Sequence, residues 1–303
     1  MKKSRVCNET VAEGIRALRF GVEVEMEFAK RDSANIMAEV TGGKITKPIY
    51  KDDISREINK RVYNIIAPDG RTWGIDDDVS IASAWGQDFN SEMVSPILHH
   101  EDMGTLAALL KKFQSNGATA TKKCALHVNI DGATFNNESI KRLLTNFHNN
   151  QDLYFAITQH KNPDLLVRRV SPLHPHNIAN MQQAQDTHEL EHAWYGPHYD
   201  GKGRNHRDHY YNMSRYQAIN LHSYFRQSRI EFRPANTPED LCPDTSRALI
   251  DLWRGMSAAS THGIELPPVK NSKQFNKSLK NMGLVGADFT SSREILVERY
   301  ANR

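Results

Sequence analysis

The sequence predicts an α+β fold, a curved and mainly antiparallel sheet flanked by helices. Several short segments alternate apolar and polar residues with period two, as strands with one buried face do. Other segments carry apolar residues at helical spacing, and turn signals such as Pro68-Asp69-Gly70 separate the two kinds. No internal repeat or low-complexity tract interrupts this order.

Residues 1–19 read as a polar amino-terminal arm. From Phe20 to Phe28, Val22, Val24 and Met26 alternate strictly with Glu23, Glu25 and Glu27, which predicts a strand with a carboxylate-bearing face. From about Asp52 to Ile66, Ile54, Ile58, Val62 and Ile65 stand close to helical spacing, which predicts a helix ending at the turn. Strands are expected at Thr72 to Ile75 and Glu92 to Ile97, on either side of the acidic loop Asp76-Asp77-Asp78. Asp102 to Phe113 reads as a helix with an acidic first turn and a stop near Asn116-Gly117. Cys124 to Ile130 alternates Leu126, Val128 and Ile130 against His127 and Asn129. Ser139 to Thr158 reads as a helix, and 163–203, rich in His, Pro and Asn, as an insertion or lid with one short helix from about Asn177 to Trp194. Two further strands are expected at Arg215 to Tyr224 and Ser228 to Pro234, then a helix from about Pro243 to His262. The main domain thus spans 20–262, and 263–303 is polar and only weakly periodic.

Composition narrows the function classes. A net charge of +3 over 303 residues, with no basic stripe interleaved with aromatics, predicts no nucleic-acid partner. Cys7, Cys124 and Cys242 are odd in number and fit neither zinc nor disulfide spacing, as in a reducing compartment. The basic start MKKSRVCNETVAEG runs into polar residues, unlike a signal peptide, and no apolar run approaches the roughly 20 residues that cross a bilayer. A cytoplasmic protein without a membrane partner is expected.

Several carboxylates and a histidine on one strand face repel unless a cation sits among them, and a hard divalent ion such as magnesium takes oxygen ligands while keeping positions for water and phosphate. The bland reading of the Val-Glu-Val-Glu-Met-Glu strand alone is a half-exposed strand with a solvated face. The pattern recurs, however, at Glu92 beside Ser95-Pro96, at His127 within LHVNI, and at Glu231 and Arg233 within IEFRP.

The ordered set FGVEVE, WGIDDDVS, EMVSPI, ALHVNI, RYQAINL and IEFRPAN, from about Phe20 to Asn236, resembles the amidoligases, relatives of glutamine synthetase and glutamate-cysteine ligase. The resemblance implies a glutamine synthetase-like catalytic domain in which Glu23, Glu25, Glu92, His127 and Glu231 hold magnesium, or manganese, around the phosphates of ATP. It implies that Arg233, and more weakly Arg215, contacts the transferring phosphoryl group or the substrate carboxylate. The implied activity joins a small-molecule or peptide carboxylate to an amine through an acyl phosphate. Asp78 matches the aspartate of a W-x(4)-D-x-S element, with Val79 where glycine is expected. Glu27 shares the strand face but stands outside the paired motif.

Two other readings compete. His188-Glu189-Leu190-Glu191-His192 fits the HExxH pattern of zinc proteases, with His198 ten residues beyond the first histidine. The glycine of the extended motif falls one place late, at Gly196, and the chain's 14 histidines concentrate in this region, so a solvated His-rich face of a lid serves as well. His174 and His176, framed by Pro172 and Pro175, read as loop residues. A non-catalytic ATP-binding module would keep the arginines and lose a metal glutamate, whereas this chain has them all.

Overall fold

The computed structural model describes residues 7–49, 60–158, 170–196, 206–209 and 212–303. The expected helix at 52–59, residues 163–169 of the insertion, and His198 lie outside them. The fold is α+β, as predicted: an open antiparallel sheet of eight strands in the order β2-β3-β4-β5-β1-β6-β8-β7, flanked by helices. The strands are β1 (Phe20–Glu27), β2 (Lys44–Thr46), β3 (Arg61–Ile66), β4 (Thr72–Asp77), β5 (Asn90–Val94), β6 (Ala125–Asp131), β7 (Ile219–Asn220) and β8 (Arg229–Asn236). The chain divides into two compact units, one of 19–128 with 235–247, the other of 1–18, 129–234 and 248–303.

In the first unit, α2 (Lys30–Thr41) and α3 (Met103–Ser115) pack against each other, and α2 also crosses β2 to β5. Val22, Val24 and Met26 of β1, Ile65 of β3, Trp73 and Ile75 of β4 and Met93 of β5 are buried with Met37, Leu106, Leu109 and Phe113 of the helices. The opposite parity of β1, β4 and β5 is therefore turned away from this apolar layer. The expectation of a helix through Ile66 is overturned, because 61–66 is a strand. Val62 and Ile65 continue the helical spacing only by coincidence. The segment is rich in β-branched and aromatic residues, and Pro68-Asp69-Gly70 folds it back as a hairpin, with the Gly70 amide donating to the Ala67 carbonyl at 2.9 Å.

Arg71, at the end of that turn, binds both oxygens of Asp102 at 2.7 and 2.8 Å, and Asp102 also accepts from the His99 amide at 2.8 Å ahead of α3. Hydrogen bonding to Arg71 holds the Asp102 carboxyl below the ordinary aspartate range. A depressed folded-state pKa gives stability that is present above the unfolded value of about 3.9 and is lost as pH falls through the folded one. Asp102→Asn is expected to lower the urea midpoint at pH 7 by the equivalent of about 1 kcal/mol, since the pair is partly exposed. The gap to the parent protein should narrow as pH falls from the unfolded value through the depressed folded one. A gap that persists unchanged at pH 2 would show that packing, not the ion pair, is at stake.

In the second unit, β8 places Phe232 flat against Trp253 of α9 (Pro243–Thr261), with ring centroids 5.1 Å apart. Phe147 of α4 (Asn137–His148) and Tyr154 of α5 (Gln151–Thr158) close the same cluster. The predicted single helix from Ser139 to Thr158 breaks here because Asn146, Asn149 and Asn150 turn their amides to the extended segment after α9. Asn146 pairs both ways with it, donating to the Ile264 carbonyl at 3.0 Å and accepting from the Leu266 amide at 2.8 Å. Asn149 and Asn150 donate to the carbonyls of Leu266 and Pro267.

The ends of the chain are more regular than their sequence suggests. The arm contains α1 (Asn8–Ala17), with Val11, Ala12 and Ile15 buried. The weakly periodic tail forms α10 (Ser272–Asn281) and α11 (Ala287–Ala301), whose buried faces mix Phe275, Leu279, Phe289 and Leu296 with Ser278 and Ser292. Those buried serines blur the hydrophobic period. The expected single helix at 177–194 is two, α6 (Pro175–Gln183) and α7 (Thr187–Tyr195), because Asp186 ends the run as an N-cap, accepting from the Glu189 amide at 2.8 Å. The expected strand Arg215 to Tyr224 is instead a 3-10 turn at Met213–Tyr216, the two-residue β7, and α8 (His222–Gln227). Ser228, left-handed at φ 52°, then turns the chain into β8. Among the described residues no helix is long and apolar enough to cross a membrane.

Candidate active site

Register builds the acidic face of the first unit. Glu25 of β1 stands directly opposite Glu92 of β5, which stands directly opposite Asp76 of β4. Like charges placed so oppose folding, and three in a row across adjacent strands call for compensation. Glu23 shares the parity of Glu25, and His127 of β6 brings Nδ1 within 3.3 Å of Glu23 Oε2. Glu25 is only 3% exposed and accepts from the Ala125 amide at 2.9 Å, which fixes its orientation.

Among the described residues, two groups of side chains have ligand atoms within 4.8 Å of one another: Glu23, Glu92 and His127, and Glu25, Asp78 and Glu92. Glu92 belongs to both. Burial, and then the charges of Glu23, Glu25, Asp78 and Asp76, push its carboxyl well above the ordinary carboxylate range. A divalent cation at either group would remove that penalty. The donors are carboxylate oxygens with a single imidazole, a set that fits magnesium or manganese better than a soft ion.

Of the three consecutive aspartates, strand parity sends only Asp76 toward this face. Asp77 points the other way and pairs with the buried Lys30 at 2.8 Å. Asp78, one residue past the strand, returns to the acidic face, and its Oδ1 accepts from the Ser80 amide at 2.7 Å, so the D-x-S element is an Asx turn that orients a carboxylate of the second candidate group. Valine in place of glycine at 79 brings no strain, since the positive-φ non-glycine residues among those described are Ala82, Ser228 and Leu241. Sequence reasoning matched Asp78 to a motif without giving it a ligand's part. The available signal was its shared parity with Asp76.

Among the described residues Glu231 belongs to neither group. It lies on β8, in the other unit, where it is 3% exposed and accepts from Asn220 Nδ2 and from Arg233 Nη1, each at 2.5 Å. The guanidinium of Arg233 lies 5.8 Å from the centre of the Tyr216 ring, and that of Arg215 lies 5.7 Å from it. Two arginines thus lie against one aromatic ring, beside a carboxylate that orients one of them.

The HExxH segment forms most of α7, but His188 and His192 are exposed, and neither belongs to a candidate metal group among the described residues. Glu189 accepts from the Gln185 amide at 2.7 Å and so helps to start the helix. His174 likewise caps α6, accepting from the His176 amide at 3.2 Å.

An open antiparallel sheet that carries two candidate groups for a divalent cation among its described residues defines an α+β protein with an acidic site. The chain belongs to the family described as "putative amidoligase enzyme", which it matches over residues 16–240. Membership makes it an enzyme of the ligase type. No curated protein matches the chain.

Proposed function

We propose that the protein is an ATP- and magnesium-dependent carboxylate-amine ligase that forms an amide bond through an acyl phosphate. The observation that carries this reading is Glu92 shared between two carboxylate groups on the segment matched to the amidoligases. A carboxylate does not acylate an amine at neutral pH, because its leaving group would be oxide; phosphorylation supplies a better one. The carboxylate oxygen attacks the γ-phosphorus, ADP leaves, and the amine then displaces phosphate, releasing a proton. Magnesium, or manganese in its place, would neutralise charge on the phosphate oxygens when bound.

The residues of the chain have distinct parts in this reading. Glu23, Glu25, Asp78, Glu92 and His127 hold the cations, with the Ala125 amide and the Asx turn fixing two of the ligands. Arg233, oriented by Glu231, and Arg215 present guanidinium forks suited to a phosphoryl or carboxylate group. Glu231, already bonded to Asn220 and Arg233, serves as orienter of Arg233 more readily than as a metal ligand. The acceptor is a small-molecule or peptide amine, and the protein works in the cytoplasm without nucleic-acid or membrane partners.

The test is incubation with ATP, magnesium and pooled carboxylic acids and amines, followed by mass spectrometry. ADP with phosphate is expected, together with a product lighter than its parts by one water. AMP with pyrophosphate would overturn the mechanism, and absence of any nucleotide turnover would favour a binding module.

A further inference from the structure

A cation already stands on the acidic face. Arg61, at the start of β3, lies opposite Asp76 and donates to it through Nε, while Nη1 donates to Asn64 Oδ1 at 3.2 Å. Residues three apart in a regular strand point to opposite faces, so Arg61 and Asn64 should not share a partner surface. They do because the register shifts between Arg61 and Tyr63: Asn64 stands opposite Gly74 where an unbroken ladder would place Tyr63. The bulge also returns Ile65 to the apolar layer.

The second device is Gly74. It shares the parity of Asp76, and a Cβ there would lie 1.9 Å from Arg61 Cζ and 2.0 Å from Nη1. The guanidinium therefore lies on bare backbone at a position where any side chain would displace it. Its side chain is 23% exposed. A plain cross-strand ion pair needs neither the bulge nor the glycine, because the opposed positions of Arg61 and Asp76 would suffice.

Arg61 also takes Asp76 out of the cation-binding set. Asp76 is directly opposite Glu92, yet it belongs to neither group of ligand atoms. The face thus carries two kinds of charge side by side, carboxylates grouped for divalent cations and a guanidinium seated at their border. That combination matches a polyphosphate chelating a metal, whose oxygens need both the cation and a planar donor.

We infer that Arg61 is a phosphate-binding residue of this site, seated on Gly74 and aimed by Asp76 and Asn64 at the polyphosphate that the cations bind. The inference rests on the proposed ligase reading. It places a functional arginine in the first unit, on the same sheet face as the carboxylates, and assigns Gly74 as its seat.

The test measures binding without turnover, with pyrophosphate as the probe in the presence of magnesium, and manganese alone as a second titration. Arg61→Gln is expected to weaken pyrophosphate binding on the order of tenfold, the loss of one charge-assisted contact, while manganese binding holds or tightens. Gly74→Ala, which leaves every charge in place, is expected to weaken pyrophosphate in the same direction. Arg61→Lys should not restore it, since a point charge cannot span Asp76 and Asn64 as a fork does. Thermal unfolding of each variant checks the fold. Pyrophosphate affinity within twofold of the parent in both Arg61→Gln and Gly74→Ala would overturn the inference alone, provided that Glu92→Gln abolishes that binding. No magnesium-dependent binding by the parent protein, or binding that survives Glu92→Gln, would overturn the ligase reading and this inference together.

Discussion

Replacing Glu92 by glutamine is expected to make the cation-free protein more stable and the enzyme inactive at once. The carboxyl sits among Glu23, Glu25, Asp76 and Asp78, and its pKa is raised by burial and by those charges. A raised carboxyl pKa gives a contribution that is fully present below the unfolded value of about 4.3 and is lost as pH rises through the folded one. Without cation, the parent protein should therefore lose stability as pH climbs through that window, and Glu92→Gln should not. Near neutral pH the variant should gain on the order of 1 kcal/mol, because neutralising one of several facing charges relieves repulsion. Changing a residue behind a metal ligand already reduces affinity or activity by roughly 10- to 100-fold, so loss of a ligand shared by two groups should reduce turnover by at least about 100-fold. Manganese should raise the unfolding temperature of the parent and leave that of the variant unmoved. An undiminished manganese response in Glu92→Gln would remove the carboxylate groups from the mechanism.

Asp251→Ala is expected to destabilise the protein by about 3–5 kcal/mol, far more than a surface ion pair could account for. Asp251 and Arg254 of α9 are both 0% exposed and meet at 3.0 Å. Asp251 also accepts from Ser292 of α11 at 2.8 Å, and Arg254 donates to the Ile15 carbonyl at the end of α1 at 2.9 Å. Removing the carboxylate leaves a guanidinium buried without its counter-charge, whereas replacing both residues with apolar ones of similar volume, Asp251→Leu with Arg254→Met, should recover most of the loss. Urea unfolding of the two variants checks the contrast. A single variant that costs less than roughly 1 kcal/mol would mean that water reaches this pair.

The strands bearing the acidic face were legible because their alternation is strict and their turns carry Pro, Gly or Asn. At β1, β4, β5, β6 and β8 the period of two survives in the residues themselves. What was hidden depends on partners distant in sequence. The strand at 61–66 has a spacing compatible with a helix, and only pairing with β4 across the Pro68-Asp69-Gly70 turn decides between them. The bulge that brings Arg61 and Asn64 to one face breaks the alternation that would have announced it. The serine at 228 ends α8 in a conformation that glycine usually marks, so the short helix before β8 left no trace in composition. Of the site, Glu23, Glu25, Glu92 and His127 come together, whereas Asp78 was seen as a motif residue only and Arg61 was not singled out.

The fastening of α1 bears on the order in which the protein can be finished on the ribosome. Its carbonyl at Ile15 is gripped by Arg254, and Gly283 comes so close to Val11 and Ala12 that a Cβ there would lie 2.7 Å from their backbone. These partners emerge more than two hundred residues after the helix itself. The carboxylate-bearing strands β1 to β5 and their helices α2 and α3, by contrast, are all contained within 19–128. Synthesis thus delivers the acidic face before the lock on α1, so that α1 acquires these partners only after the strands that follow it have been made.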